Sequence, residues 1–143
     1  MTQPDSPRRV LSDTSGLTQL GAPTKGPTRQ LESFPFRHAG RDTVVTFRCS
    51  EFTCFCPLTG QPDYAALEIA YIPAARAIES KSLRNYLWSY RDTGVFHEDL
   101  ANILLDELFD FVQPKWMKVT ARFNVRGGIA IDVEVERSAP TQG

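Results

Sequence analysis

Two cysteines and an aspartate lie within one short segment of the sequence that also contains prolines and a glycine. The segment 51–63 includes Cys54, Cys56 and Asp63, and its composition predicts a loop that joins two strands. Loops on a rigid scaffold commonly carry reactive groups. A thiol is mostly protonated at neutral pH, so a nucleophilic cysteine needs a base, a cation or a helix N-terminus beside it. Because Asp63 can supply or receive that proton, the segment is a candidate site of covalent catalysis.

The cysteines also have two other interpretations. Cys49, Cys54 and Cys56 could bind zinc together with His97, since thiolate and imidazole are the ligands that zinc prefers. Their spacing matches none of the usual paired CxxC arrangements, so we expect no metal site. All three thiols could instead be small buried side chains of the core. The residues alone leave the nucleophile, the metal ligands and the core filler as alternatives.

A second group of residues is basic and belongs to a helical pattern. Lys81, Arg84 and Arg91 share one helical face with Trp88. This face is either a solvated surface or an anion site for a phosphorylated cofactor. Arg126 precedes Gly127 and Gly128, where a ligand can approach the backbone closely. Neither GxGxxG nor GxxxxGK[ST] occurs, so the common dinucleotide and phosphate loops are absent from the sequence.

His97 and Glu98 begin a further helical pattern and form a third group. A carboxylate in a first helical turn is favourable simply because it faces the positive end of the helix dipole. A carboxylate can also accept two parallel N–H donors, as the pyrimidine edge of a guanine-like base presents them. Both explanations remain open for Glu98.

The periodicity of apolar residues predicts the elements that position these groups. Alternation predicts strands at 43–50, 67–71, 117–123 and 129–135, each with one polar face. Helical spacing predicts one helix from Ser80, as its N-cap, to Tyr90 and another from about His97 to Pro114. The result is an α+β fold of order ββααββ, an antiparallel sheet with two helices on one face. Its uncovered face predicts self-association, around a channel if sheets join edge to edge.

Length and composition set the domain organisation and exclude several classes of protein. The 143 residues suffice for one domain, which we place at 31–138, after a Pro- and Ser-rich flexible arm (1–30) and before a short tail (139–143). A net charge of -1 provides no positive field for nucleic acid. No apolar run approaches the roughly 20 residues that span a bilayer, and no secretory signal begins the chain, so we expect no membrane partner and a cytoplasmic location.

Five segments together resemble one known family. They are LESFPFRH (31–38), FCPLTGQPD (55–63), ESKSLRNYL (79–87), GVFHEDLANIL (94–104) and RGGIAID (126–132). In this order they are similar to the NADPH-dependent 7-cyano-7-deazaguanine reductases, the nitrile reductases of the queuosine pathway of tRNA modification. The resemblance runs from about residue 17 to residue 135. It implies a tunnelling fold, in which ββααββ units form ring-shaped homo-oligomers with active sites between subunits.

The resemblance also implies a role for each matching residue. Cys56 becomes the nucleophile that forms a covalent thioimide with the nitrile, and Asp63 becomes the proton donor. The substrate pocket is implied at Ile78, Glu79, Ser80, His97 and Glu98, and the NADPH site at Lys81, Arg84 and Arg126. The family often has lysine where Arg84 stands and serine where Cys54 stands. Two other functions fit the fold: a tunnelling-fold cyclohydrolase or pterin enzyme, and a purine-binding module without turnover.

Overall fold

Four long strands with alternating apolar residues pair into one antiparallel sheet. The computed structural model describes residues 8–141. In chain order its elements are β1 (Ser33–Pro35), β2 (Val45–Phe55), β3 (Pro62–Ile72), β4 (Arg76–Ile78), α1 (Ser80–Trp88), a 3-10 helix (Ser89–Asp92), α2 (His97–Val112), β5 (Trp116–Arg126) and β6 (Ile129–Ser138). The sheet has the order β2-β3-β5-β6, so β2 and β6 are its edge strands. The α+β class and the antiparallel sheet are confirmed.

One face of the sheet and the helices enclose the core. Every second residue is buried from Asp63 to Tyr71 in β3 and from Met117 to Phe123 in β5, as the two-residue period requires. Helix α2 packs against β5 and β6, whereas α1 and the 3-10 helix pack against β2. The buried stripe of α2 consists of Leu100, Ala101, Leu104, Leu105, Leu108, Phe109 and Val112. Removal of these side chains from water is the main favourable contribution to folding.

The opposite face of the sheet carries charges. Glu68 of β3 lies 3.9 Å from Arg48 of β2 and 3.9 Å from Arg122 of β5. Lys118 of β5 and Glu134 of β6 form another cross-strand ion pair at 3.6 Å. Such opposite-charge pairs on neighbouring strands stabilise a sheet modestly and keep its face soluble. The polar face predicted from the alternation is therefore present.

The start of α1 differs from the prediction. The N-cap is Glu79 and not Ser80, because Glu79 has extended backbone angles and its carboxylate accepts the N–H groups of Lys81 and Ser82 at 2.6 and 2.8 Å. Ser80 is the first residue of the helix. A carboxylate at this position satisfies free N–H groups and also faces the positive end of the helix dipole. Helix α1 ends at Trp88, so the predicted end at Tyr90 falls within the 3-10 helix.

Two further features were not predicted. The short strands β1 and β4 pair with each other in a separate antiparallel sheet, which the order ββααββ omits. The predicted loop 51–63 is mostly strand, because β2 continues to Phe55 and β3 begins at Pro62. The reactive segment is thus a hairpin with a turn at 56–61. The register of β2 against β3 shifts between Cys49 and Phe52, which marks a bulge.

The predicted arm touches the domain over its second half. Residues 1–7 lie outside the described residues, but Arg29 reaches the 3-10 helix region, where its guanidinium donates to the Thr93 hydroxyl at 3.1 Å. The same guanidinium lies 4.3 Å from the centre of the Tyr90 ring. The flexibility of the arm and the proposed domain limits stay predictions. Between residues 8 and 141 no helix has both the length and the apolar character to span a membrane.

Candidate active site

The β2–β3 hairpin brings the reactive cysteine and the aspartate to one end of the sheet. Cys54 and Asp63 are direct partners across the two strands. The N–H of Cys56 donates to the Gln61 carbonyl at 2.9 Å, and the N–H of Gly60 donates to the Cys56 carbonyl at 2.9 Å. Gly60 has φ 71°, a conformation that favours glycine. This tight turn presents Cys56 immediately beyond the strand pair that holds Asp63.

Cys56 is the thiol with the surroundings of a nucleophile. It is partly exposed at the turn. Hydrogen bonding from the Thr59 hydroxyl, and then from the N–H groups of Thr59 and Leu58, lowers the pKa of the Cys56 thiol, although slight burial and the Asp63 carboxylate oppose this. A lower pKa increases the thiolate fraction near neutral pH, and the thiolate is the nucleophilic form.

The other two thiols have different surroundings. Cys54 is fully buried, and burial together with the nearby Asp63 carboxylate raises its pKa to about 11. Cys49 is half-buried and packs against the core. The core-filler interpretation therefore fits Cys49 and Cys54 but not Cys56. Across residues 8–141, no three His, Cys, Asp or Glu side chains converge as a metal site, so the zinc alternative gains no support.

The Asp63 carboxylate is buried and paired with two cationic or potentially cationic groups. Only 6% of Asp63 is exposed. One carboxylate oxygen lies 3.3 Å from Nε2 of His97, and the other lies 3.2 Å from Nε of Arg126. The His97 ring stacks on Phe123, with 3.7 Å between ring centroids and 10° between planes. Stacking and the carboxylate together fix the orientation of the imidazole.

A second contact joins the cysteine turn to the start of α2. The N–H of Phe55 donates to the Thr93 carbonyl at 3.1 Å, and the N–H of Val95 donates to the Phe55 carbonyl at 3.0 Å. Gly94 stands between these bonds, where a Cβ atom would lie only 2.7 Å from Cε2 of Phe55. The absence of a side chain at Gly94 therefore lets the segment before α2 approach the residue before Cys56.

This contact brings the segment that leads into α2 up to the residue before Cys56. Glu98 is exposed in the first turn of α2, directly after His97. Within residues 8–141 its carboxylate has no hydrogen-bond or ion-pair partner, in contrast to Asp63. The structure thus brings Cys56, Asp63 and His97 together at one end of the sheet, with Glu98 next to His97 in the chain.

The remaining substrate candidates lie at the start of α1. Ile78 is buried, and its N–H donates to the Tyr71 hydroxyl at 2.8 Å. Glu79 is 3% exposed, with its carboxylate occupied by the helix cap. Ser80 is exposed and borders a cavity of about 470 Å³ between β2 and α1. The cavity is lined by Phe47, Arg48, Cys49, Glu51, Phe52, Thr53, Ile69, Ser80, Leu83, Arg84, Leu87, Trp88 and Arg91.

The three predicted cofactor cations have different positions within the chain. Arg84 lines the cavity beside α1. The Lys81 ammonium donates to the Ala22 carbonyl of the arm. Arg126 belongs to the other group, since it contacts Asp63, the Gln61 side chain at 2.9 Å and the Pro62 carbonyl. A single chain therefore does not gather them into one cluster, and their shared role in cofactor binding stays a prediction.

Sequence reasoning missed two residues of the site. Thr59 lowers the pKa of Cys56, and Phe123 supports His97. Arg91, which the sequence placed on the basic face with Arg84, borders the same cavity as Arg84. Thr59 had a weak signal, since a hydroxyl three residues after a cysteine in a turn can point back to it. Phe123 had none beyond the alternation of its strand.

A partly exposed thiol with a lowered pKa, beside a buried Asp–His pair, is typical of enzymes that attack their substrate with cysteine. The QueF-like protein family matches residues 62–142. NADPH-dependent 7-cyano-7-deazaguanine reductases are similar over most of the chain: that of Syntrophus aciditrophicus is 56% identical over 90% of this chain and 91% of its own length. The reductase of Alkalilimnicola ehrlichii is 49% identical over 80% of this chain and 88% of its own length. The chain belongs to the QueF-like family.

A solved structure agrees with this assignment. The archaeosine synthase QueF-Like in its apo form superposes with a TM-score of 0.62 and 25% sequence identity. The match covers 69% of this chain and 96% of that chain. The shared part is therefore nearly the whole of the other protein, so the α+β arrangement described above is the fold that the two chains have in common.

The three thiols are expected to react with iodoacetamide in distinct pH ranges. Because the lowered pKa makes more thiolate at a given pH, Cys56 should be labelled first, with a midpoint below that of an ordinary thiol, and Cys54 should require unfolding or a pH near 11. Replacement of Thr59 by Val should raise the pH midpoint of Cys56 labelling. If the midpoint rises by about one pH unit, labelling at pH 7 should be about tenfold slower, because the thiolate fraction falls by that factor. Peptide mass spectrometry measures each site, with Thr53→Val as the control. Faster labelling of Cys54 than of Cys56 would contradict the assignment.

Gly94→Ala is expected to destabilise the protein by about 1–3 kcal/mol, because the added methyl group overpacks against Phe55. Urea unfolding measures the effect. Gly40→Ala is the matched control, since a Cβ there meets no atom within 4 Å. Phe55→Leu should recover part of the loss in the Gly94→Ala background. Equal effects of the substitutions at Gly94 and Gly40 would show that the contact is unimportant.

Proposed function

We propose that this chain reduces the nitrile of 7-cyano-7-deazaguanine to the aminomethyl group of 7-aminomethyl-7-deazaguanine, with NADPH, in queuosine biosynthesis. The observation that carries the proposal is the difference between the thiols: Cys56 is partly exposed with a lowered pKa, whereas Cys54 is buried with a raised one. A thiolate is the group that can add to a nitrile carbon. Family membership and the names of the relatives support the substrate and the cofactor.

The first step is the addition of Cys56 to the nitrile. The sulfur–carbon bond forms, one π bond of the nitrile breaks, and its electron pair goes to the nitrogen, which takes up a proton to give a thioimide. Asp63 is the predicted donor: its carboxylate first receives the proton that the Cys56 thiol gives up and then delivers it to the nitrogen, and His97 at 3.3 Å is placed to share that proton. A proton delivered as the sulfur attacks lowers the barrier, because the nitrile nitrogen otherwise accumulates negative charge.

Reduction of the thioimide to the amine requires four electrons in two steps. When bound, NADPH supplies hydride, and two molecules in succession account for the product. The chain's own part is to release the Cys56 thiolate when the first reduction product collapses, and to return a proton to nitrogen through Asp63 and His97. The hydrogen bonds from Thr59 and Leu58 favour that release, since they stabilise the thiolate as a leaving group.

The substrate is held by its guanine-like edge. The available carboxylate of Glu98 can accept two N–H groups from that edge, and the bidentate geometry selects guanine-like over adenine-like bases. His97, adjacent to Glu98, stands at the reacting side because it contacts Asp63. Ile78, Glu79 and Ser80 complete the pocket in this proposal. Glu79 contributes through its backbone, since its carboxylate caps α1.

The cavity beside α1 suits an anionic, partly aromatic cofactor. Apolar side chains such as Leu87 line its interior, and Arg84 and Arg91 provide positive charge at its border. Guanidinium groups bind phosphates well because they offer several N–H donors in one plane. Lys81 and Ser80 precede Arg84 on the same helix. We place NADPH here, with Arg126 joining from another subunit.

The assembly is proposed to be a ring-shaped homo-oligomer with active sites between subunits. Two observations support it: β2 and β6 are both edge strands, and the face away from the helices is charged. Edge-to-edge pairing of such sheets would enclose a polar channel. It would also let the Cys56 turn of one subunit meet the α1 cavity of a neighbour. Direct nucleic-acid binding is not expected.

The two alternative functions have no observation that favours them. A cyclohydrolase would need a metal-activated water, and the residues described between 8 and 141 offer no cluster of metal ligands. A binding module without turnover would have no need of a thiol with a lowered pKa beside a proton-sharing pair. The reductase is therefore the conclusion.

Without NADPH, the protein is expected to stall as the thioimide when incubated with 7-cyano-7-deazaguanine. Addition expels no leaving group, so intact-protein mass spectrometry should show a gain of one whole substrate molecule. Cys56→Ala should abolish the adduct, and Cys54→Ala should retain it. Asp63→Asn should slow its formation about 100-fold or more, as expected for loss of a general acid. Normal turnover without any adduct on Cys56 would refute the covalent route.

Two inactive variants are expected to restore activity when their subunits are mixed. Cys56→Ala removes the nucleophile, and Arg84→Glu reverses a charge in the cavity without touching the cap of α1. If each site combines a turn from one subunit with a cavity from another, a mixture refolded together should contain some intact sites. NADPH oxidation at 340 nm, a standard absorbance of the cofactor, follows the recovery. Full activity of a monomer in sedimentation experiments would exclude shared sites.

A further inference from the structure

A buried hydroxyl group joins the segment 79–81, at the mouth of the cavity, to the chain just after the arm. Ser82 is fully buried. Its hydroxyl accepts the N–H of Glu32 at 2.9 Å and donates to the carbonyl of Glu79 at 2.8 Å. The N–H of Glu79 in turn donates to the carbonyl of Glu32 at 2.9 Å. Glu32 and the residue that caps α1 are therefore joined both directly and through Ser82.

The Glu32 side chain extends this connection into the arm. Its carboxylate accepts the N–H of Thr18 at 3.0 Å, the N–H of Gln19 at 3.3 Å and the hydroxyl of Thr18. Burial works to raise the pKa of Glu32, but these hydrogen bonds outweigh it and hold the pKa below the ordinary value. The carboxylate thus stays charged at neutral pH and keeps the chain around Thr18 folded back on it.

The arm also contacts two other residues of α1. The Lys81 ammonium donates to the Ala22 carbonyl, which fixes the far end of a side chain that is otherwise mobile. The side-chain amide of Asn85 donates to the Gln19 side chain at 2.8 Å. The arm therefore contacts α1 on both sides of Ser82, over the first two turns of the helix.

We propose that Glu32 and Ser82 are positioning residues that fix the segment 79–81 for ligand binding. The inference rests on the proposed function, because that function places substrate and NADPH at this segment. Neither residue lines the cavity, and Ser82 has no exposed surface with which to touch a ligand. Their effect on the reaction must therefore pass through the backbone of Glu79 and the helix that follows.

The test compares two deletions of one buried hydroxyl group from the same helix. Ser82→Ala removes the connection to Glu32, whereas Tyr86→Phe removes a hydroxyl that bonds only Tyr90 and Glu107 on the other side of α1. We expect Ser82→Ala to raise KM for NADPH roughly three- to tenfold, as for the loss of one buried hydrogen bond. Tyr86→Phe should lower Tm but leave KM unchanged.

Two substitutions of Glu32 distinguish the loss of this connection from misfolding. Glu32→Ala should raise KM like Ser82→Ala, and Glu32→Gln, which keeps one acceptor oxygen, should restore part of the loss. In all of them the pH midpoint of Cys56 labelling should stay at the wild-type value, because the hairpin is unaltered. Circular dichroism and Tm confirm that each variant is folded.

The outcomes separate the inference from the proposed function. A wild-type protein that oxidises no NADPH with 7-cyano-7-deazaguanine would overturn the function, and NADPH binding measured by fluorescence titration would then test the inference. Unchanged KM and unchanged NADPH affinity in folded Ser82→Ala and Glu32→Ala would overturn the inference alone. Equal KM changes in Ser82→Ala and Tyr86→Phe would also overturn it, since a general loss of stability would then be the cause.

Discussion

The burial of the Asp63 carboxylate imposes a requirement that several distant parts of the chain satisfy together. The transfer of a charged group from water to a protein interior costs roughly several kcal/mol unless the group is paired. Its partners are His97, at the first residue of α2, and Arg126, at the last residue of β5. The hairpin, the helix start and the strand end must therefore meet at one point. Apolar packing brings these elements near each other, and the carboxylate sets their final alignment.

The same carboxylate acts in one direction on two of the thiols, so the difference between them comes from burial and hydrogen bonding. Burial and, after it, the negative charge of Asp63 raise the pKa of Cys54, whereas at Cys56 that charge only opposes a lowering of the pKa. Cys54 has no compensating donors, so it stays protonated. Cys56 lies two residues further along, in a turn whose hydroxyl and N–H groups face the sulfur. A shift of two residues thus separates an inert thiol from a reactive one, because strand and turn offer different donors.

The sequence predicted those elements whose apolar period is long enough to be recognised. The four long strands and both helices were expected near their observed positions, and so was the polar face of the sheet. Strands β1 and β4 were missed because three residues cannot show a two-residue period. The cap was assigned to Ser80 and not to Glu79, because serine is a preferred residue at an N-cap and the backbone angles of Glu79 are not visible in the sequence.

For the site, periodicity indicates which face a residue occupies but not which distant residue lies opposite. His97 and Asp63 were assigned separate roles, and their contact at 3.3 Å joins residues 34 positions apart. Arg126 was grouped with Lys81 and Arg84 because all three are basic, whereas it contacts Asp63. The sequence therefore shows which side chains are charged. It does not show which of them form ion pairs, because that depends on the register of β3 against β5 and on the docking of α2.

The bulge in β2 has a consequence for how the chain behaves in solution. An eleven-residue edge strand exposes a long row of unpaired backbone groups, which invites the addition of further strands and aggregation. The irregularity between Cys49 and Phe52 bends this row and increases its twist. A strand that joins this edge has to accommodate the bend at one place, so sliding by two or four residues is disfavoured. The edge strand can thus pair with a further strand and still favour a single register.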